Sequence, residues 1–426
     1  MKTLIISSAL LFATFLTTPL CAQESVNVVI NENGIQREET IDLPRSMTYP
    51  LDSLLNDWKA KTYIDLGKDC STSHENPLFS DSIYINRLWR MPVIIEMPYN
   101  EIVRKFIDMY ATRLRDQVAF MLSACNFYMP IFEKALDAYD LPLELKYLPI
   151  IESALNPSAV SRTGAAGLWQ FMLQTGKLYG LESNSLVDER RDPIKATWAA
   201  ARYLKDLYGI YNDWNLVIAA YNCGPGTINK VIRRAGGKTD YWVIYNYLPR
   251  ETRGYVPAFI AANYIMSYYC KHNICPMETN IPAATDTIQV SRNLHFDQIV
   301  DICHVPMDEL KSLNPQYKRS IIPGDSKPQT LRLPMNAIST FIDNQDTIYN
   351  HRQAELFKNR RTVVVASSSA SKNVTGNGKP IIYKIKKGDT LGGIAQRYGV
   401  SVSKLMSWNG LTGNKIREGK TLKIYK

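Results

Sequence analysis

The chain has 426 residues, 45% of them hydrophobic and 21% charged, ordinary globular material with length for two or three domains. Lys and Arg number 50 against 40 Asp and Glu, a net charge of +10. This excludes a disordered chain or a disulfide-built scaffold, and the positive excess favours anionic partners: nucleic acid, anionic lipid or carboxylate-rich cell-wall peptides.

Residues 1–22 read as a secretory signal peptide: Lys2, an apolar run from Leu4 to Leu16, then small residues near Ala22, where cleavage is expected. Pro19 and Leu20 before Cys21 speak against lipid attachment there, which favours a small preceding residue. Loss of Lys2 takes the charge from +10 to +9. An exported chain seldom meets nucleic acid, so that class drops out. No later run has the length of a membrane-spanning helix. The expectation is an exported chain in the periplasm or cell envelope, at most peripheral on a membrane, and monomeric.

Six cysteines remain: Cys70, Cys125, Cys223, Cys270, Cys275 and Cys303. "CKHNIC" with Cys303–His304 loosely resembles a metal site, but the spacing fits no standard zinc pattern. A local Cys270–Cys275 disulfide or plain packed thiols are the preferred readings. No metal and no cofactor are expected.

Residues 23–98 are mixed. "SLLNDWKAKTYI" and "SDSIYINRLWRM" read as helices, giving a helical N-terminal extension. From 99 to 278 the pattern is mostly α. Ile102, Phe106, Met109, Tyr110 and Leu114 fall at three-to-four spacing, as in an amphipathic helix. Asp192 followed by Pro193 is a helix cap with a first-turn proline. "AYNCGPG" places Tyr221 and Asn222 at a helix end before a turn.

One acid stands out. Glu152 lies within "LPIIESAL", in a helix predicted from Pro142 and stopped by Asn156–Pro157. Apolar neighbours and the negative end of a helix both favour the protonated carboxyl. Such a group can act as a general acid near neutrality; a surface position, or a buried acid satisfied by Arg162 or a backbone donor, is the plainer reading. Pro149 inside this helix is a local oddity. Glycoside cleavage usually takes two carboxylates, and no second acid is close in sequence. Asp188, Glu189 and Asp192 stand beside Arg190 and Arg191, which suggests salt bridges and capping. The partner then comes through space, or the substrate supplies the nucleophile. "GAAGLWQFM", "AYNCGPG" and "LPRETRGYVP" add aromatic faces and amide or hydroxyl donors suited to a sugar chain.

After residue 280 the chain repeats itself. "FDQIVDICHVPMDELKSLN" aligns without gaps on "LGGIAQRYGVSVSKLMSWN", so Ile299 meets Ile394, Leu310 meets Leu405 and Asn314 meets Asn409. Each unit reads strand, helix, helix, strand, a small α+β (βααβ) module. Units at 283–336 and 381–426 are separated by 337–380, a helix and a Ser/Asn/Gly-rich linker.

"ELKYLPIIESALNPSAVSRTGAAGLWQFM", "AAYNCGPG" and "LPRETRGYVP", in this order, resemble the lytic murein transglycosylases of the goose-lysozyme-like family. With the trailing repeats, the chain is similar to the membrane-bound D group of these enzymes. "YKIKKGDTLGGIAQRYGV" resembles LysM modules, and residues 283–336 resemble a divergent one lacking the "GDTL" turn. The resemblance implies a mainly α lysozyme-like catalytic domain followed by LysM modules. It implies cleavage of peptidoglycan between N-acetylmuramic acid and N-acetylglucosamine, with 1,6-anhydro ends and no second protein carboxylate. Glu152 matches the catalytic acid. Ser153, Gln170, Tyr221, Asn222 and Tyr255 match substrate-binding positions. Gly388, Asp389, Thr390, Asn409, Gly410 and Leu411 are the expected glycan-binding positions of the last module. The competing readings are a muramidase that lets water attack and a non-catalytic wall-binding scaffold.

Overall fold

Residues 1–356 and 357–426 form two separate bodies. The computed structural model describes residues 24–32, 35–49, 76–277, 284–357, 381–386, 389–398, 400, 402–409, 411 and 416–425. The signal segment, "SLLNDWKAKTYI", the linker at 365–380, Gly388 and Gly410 lie outside the described residues.

The N-terminal extension begins not with helix but with a hairpin, which corrects the helical reading of 23–98. Strands β1 (Ser25–Glu32) and β2 (Ile35–Asp42) pair antiparallel, with Val28 opposite Glu39. Val28 and Ile41 are buried in the core of the helical domain. A 3-10 turn, Arg45–Thr48, follows, and α1 (Asp81–Trp89) bears out the helix read in "SDSIYINRLWRM".

The long amphipathic stretch splits into α2 (Glu101–Ala111) and α3 (Arg115–Ala138). The five residues read as its apolar stripe are all buried. Next come a 3-10 turn, Leu143–Tyr147, and α4 (Leu148–Ser153), then α5 (Leu173–Leu178). Helix α6 (Pro193–Tyr211) opens as expected: Asp192 Oδ1 accepts from Ile194 N and Lys195 N, both at 2.9 Å. Such a cap is worth about 1 kcal/mol. Helices α7 (Trp214–Cys223), α8 (Pro225–Arg234), α9 (Tyr241–Ile244) and α10 (Arg250–Tyr268) complete the domain. Central to it is α10, which packs on α2, α4, α7 and β2. Gly254 permits the β2 contact, because a Cβ there would sit 2.6 Å from the Asp42 carbonyl oxygen.

The first repeat forms β3 (Thr285–Val290), β4 (Asn293–His295), α11 (Phe296–Cys303), α12 (Met307–Leu313), β5 (Ile321–Pro323) and β6 (Gln329–Pro334). β3 pairs with β6, and β4 with β5. Helices α13 (Met335–Asp343) and α14 (Gln345–Asn350) insert Phe341 and Ile348 into the same core. This module docks on the helical domain. Val187 enters its core and bridges to Tyr317, Asp188 N donates to Gln316 O at 2.8 Å, and Lys318 N donates to Leu186 O at 2.8 Å.

In the second body, strands Ile381–Lys384 and Thr421–Ile424 pair antiparallel, with helices Leu391–Tyr398 and Val402–Trp408 over a core of Ile385, Leu391, Ile394, Leu405 and Leu422. The repeat alignment holds atom for atom at one position. Asn314 donates to Leu310 O (2.9 Å) and Arg332 O (2.8 Å) and accepts from Arg332 N (2.8 Å). Asn409 donates to Leu405 O (2.8 Å) and Lys423 O (2.8 Å) and accepts from Lys423 N (2.7 Å). In both copies the amide ties the second helix to the last strand.

Candidate active site

A cleft of about 380 Å³ opens across the helical domain, with Glu152, Gln170, Tyr221, Asn222 and Tyr255 on its walls. Five of the six positions matched in this domain thus converge, from segments spread over a hundred residues of sequence.

Glu152 sits in the last turn of α4. That helix ends at Ser153 because Ala154 and Leu155 take left-handed backbone, φ +51° and +60°, two residues before the Asn156–Pro157 stop. Two consecutive non-glycine residues in this region cost on the order of 1 kcal/mol or more each. Pro149 is at the start of α4 and not in a helix interior, so it forfeits no hydrogen bond. Ile150, Ile151 and Leu155 around the acid are buried. Burial pushes the Glu152 carboxyl up to about 8; a hydrogen bond donated by Tyr255 Oη pulls the other way, and the negative charge of Glu251 adds to the rise. The acid is therefore protonated at neutral pH. Its partner is Tyr255, not Arg162. Burial and the Glu152 charge hold the Tyr255 hydroxyl well above its ordinary value, so it stays a donor.

The opposite wall is the loop Ala159–Phe171. Gln170, at φ +46°, donates from Nε2 to Gly167 O (2.8 Å) and Ala159 O (3.2 Å), which leaves its carbonyl oxygen for the cleft. Tyr221 Oη donates to Trp169 O at 2.8 Å, and its ring leans on Tyr203 at 5.3 Å between centroids. Asn222 Oδ1 accepts from Thr252 Oγ1 at 2.9 Å. Ser153 is elsewhere: it is fully buried, and its Oγ donates to Leu168 O (2.9 Å) and Pro149 O (3.1 Å). It braces the loop against α4. Trp169 is also fully buried, with Nε1 on Thr197 Oγ1 at 2.9 Å.

Arg190 locks this loop from behind. Its Nη1 donates to Gly164 O (2.7 Å) and Phe171 O (3.0 Å), while Nε and Nη2 grip Asp188 at 2.9 and 2.8 Å. Burial would raise Asp188, but the hydrogen bonds and charge of Arg190, with Lys318, outweigh it and hold the carboxyl below its ordinary value. Gly167 faces the same strut, since a Cβ there would lie 1.8 Å from Arg190 O. Salt bridging for Asp188 and Glu189 and capping for Asp192 stand as expected from sequence.

Glu251, offered together with Tyr255 by "LPRETRGYVP", lines the cleft as a second, exposed carboxylate. Sequence reasoning missed other cleft residues. Tyr203, Ser161, Thr163 and Met172 line it as well, and Pro44 and Arg45 arrive from the N-terminal extension. Among the described residues no group of three His, Cys, Asp or Glu is placed to hold a metal. Cys270 is a free thiol and Cys275 is disulfide-bonded, so the local Cys270–Cys275 bridge does not form.

In the last module, the expected glycan-binding side chains are occupied by the fold. Asp389 accepts from Tyr383 Oη (2.7 Å) and Lys386 N (2.9 Å), Thr390 Oγ1 caps Gly393 N (3.1 Å), Asn409 staples helix to strand, and Leu411 packs on the core.

Comparison with known families agrees with this architecture. The family described as transglycosylase SLT domain matches residues 129–244. The match falls within the helical domain, which is thus similar to the transglycosylase SLT domain. The module after the SLT domain matches the LysM-like domain of lytic transglycosylase MltD at residues 284–350, and the last matches the LysM domain at 383–424. Membrane-bound lytic murein transglycosylase D of Escherichia coli K12 is 33% identical over 289 residues, 67% of this chain and 60% of that protein. The chain thus spans about 60% of the length of that relative. Soluble lytic murein transglycosylase of the same organism is 32% identical over 124 residues, 28% of this chain and 19% of that one. The solved 70 kDa soluble lytic transglycosylase of E. coli aligns with 27% identity and a TM-score of 0.30, covering 35% of this chain and 26% of that chain.

Proposed function

We propose that this protein is a lytic transglycosylase that cleaves peptidoglycan between N-acetylmuramic acid and N-acetylglucosamine. The observation that carries this is a carboxyl set among buried Ile150, Ile151 and Leu155, hydrogen-bonded by Tyr255 and lining the cleft of a domain similar to the SLT family. Glu152 gives its proton to the glycosidic oxygen as the C–O bond breaks. The resulting carboxylate takes the proton of the muramoyl C6 hydroxyl as that oxygen closes on the anomeric carbon. One bond is exchanged for another within the substrate, no water is consumed, and Glu152 ends protonated. Tyr255 supports the ionised stage, because its hydroxyl donates to the carboxylate. Gln170, Tyr221 and Asn222 hold the sugar through amide, ring and hydroxyl contacts. The LysM modules retain the enzyme on the wall. The chain works as an exported monomer of the cell envelope; no helix among the described residues is long and apolar enough to cross a membrane.

Glu251 in the cleft keeps a hydrolytic reading specific, since a second carboxylate could activate water. Mass spectrometry of muropeptides released from purified sacculi separates the two. Anhydro ends are expected, reducing ends would show hydrolysis, and no release would leave a wall-binding scaffold.

A further inference from the structure

We propose that Arg45 forms a carboxylate-binding subsite of the cleft, which takes the acidic peptide substituent of the glycan strand. The inference rests on the peptidoglycan reading above. Pro44 and Arg45 line the same cleft as Glu152, yet they lie outside the matched SLT residues 129–244. The segment is fixed in place. Leu43 and Met47 are buried in the domain core, and Ser46 Oγ donates to Ile151 O at 2.6 Å, on the helix that carries the acid. Thr48 Oγ1 closes the turn on Arg45 O at 2.8 Å.

Arg45 is the one cation among the described cleft-lining residues. Its guanidinium makes no hydrogen bond or ion pair within the described structure, whereas Arg104, Arg190 and Arg253 are all paired with carboxylates. An unpaired guanidinium half-exposed at a cleft wall presents its planar fork to an incoming anion. Sugar hydroxyls are neutral and have the amides of Gln170 and Asn222 to meet them. Carboxylates enter with the peptide side chain of the polymer. Arg45 lines the cleft from the N-terminal extension, on a segment separate from the helix that carries Glu152, where a substituent of the glycan would reach it.

The test compares full-length wild type, Arg45→Ala and Arg45→Lys on glycan strands with peptides intact and on strands stripped by an amidase, with the lactyl carboxylates that this exposes capped as amides. Arg45→Ala is expected to lose about tenfold in kcat/KM on peptide-bearing strands, mainly through KM, and less than twofold on stripped strands. Arg45→Lys should recover part of the loss, because charge returns without the fork. An equal loss on both substrates, or none on either, overturns the subsite. Wild type that cleaves neither substrate would reject the lyase reading instead. Calorimetric titration with a disaccharide-peptide and with the same disaccharide bearing a simple lactyl amide in place of the peptide then decides the subsite independently of turnover. Weakening by Arg45→Ala confined to the peptide-bearing ligand supports it, and any other pattern overturns it.

Discussion

Replacing Glu152 with Gln removes a titrating proton from the cleft while keeping the shape of the side chain. Holding a carboxyl from its ordinary 4.5 up to about 8 corresponds to about 5 kcal/mol in favour of the protonated form. Cleft water screens part of this, so ~2–3 kcal/mol is the expected measurable share. The sign follows from proton binding. The folded state holds this proton more tightly than the unfolded chain, so the acid imposes no cost below about pH 4.5, a growing cost between 4.5 and 8, and its full cost above. Glu152→Gln should thus match wild type near the acid end and exceed it in stability above pH 8. Calorimetric unfolding of the full chain over that range reads the difference in the transition of the first body. Sacculus-clearing activity of the same variant should fall by about 10²–10⁴, and wild-type activity should decline as pH rises through about 8. A stability difference that stays flat with pH, or a variant that still clears sacculi, would refute the reasoning.

Tyr255→Phe removes the one hydrogen bond that favours the ionised acid, so the alkaline limb of the pH profile should move upward by about half a unit to one unit; kcat should fall, because the base step loses its donor. Arg190→Ala strips Asp188 of its partner and frees the Gly164 and Phe171 carbonyls. A loss of about 3–5 kcal/mol is expected from breaking a buried pair, read by denaturant unfolding, together with faster amide exchange in residues 159–171. Asn409→Ala cuts two hydrogen bonds between helix and strand and a third to the helix carbonyl of Leu405, so the last module should lose about 2 kcal/mol; its effect on wall retention should track unfolding measured by circular dichroism, and a folded variant with lost retention would place Asn409 at the glycan instead.

What the sequence disclosed was local. The Asp192–Pro193 helix start, the apolar setting of Glu152 and the repeat that pairs Asn314 with Asn409 all depend on neighbours a few residues apart. The hairpin carried its own signal, since Val26, Val28 and Ile30 alternate before Asn33–Gly34, but the polar run of β2 hid it. Ser153 was misplaced because a motif names a position and not the direction of its side chain. Its hydroxyl turns inward, to the Leu168 carbonyl. Glu251 and Arg45 reach the cleft from about a hundred residues away on either side of Glu152, and no periodicity reports such a meeting.

Both walls of the cleft are held by parts of the chain outside the SLT match. On one side Ser46 anchors to Ile151, immediately before the acid. On the other, the first LysM-like module reaches the loop Ala159–Phe171 through a continuous polar path. Lys318 donates to the Leu186 carbonyl, Gln316 accepts from Asp188 N, Asp188 grips Arg190, and Arg190 holds the carbonyls of Gly164 and Phe171. A module that shares its core with Val187 is thereby part of the scaffold that sets the distance between Gln170 and Glu152. The divergence of this repeat from the terminal copy has a physical reason on that view: its surface answers to the helical domain it packs against.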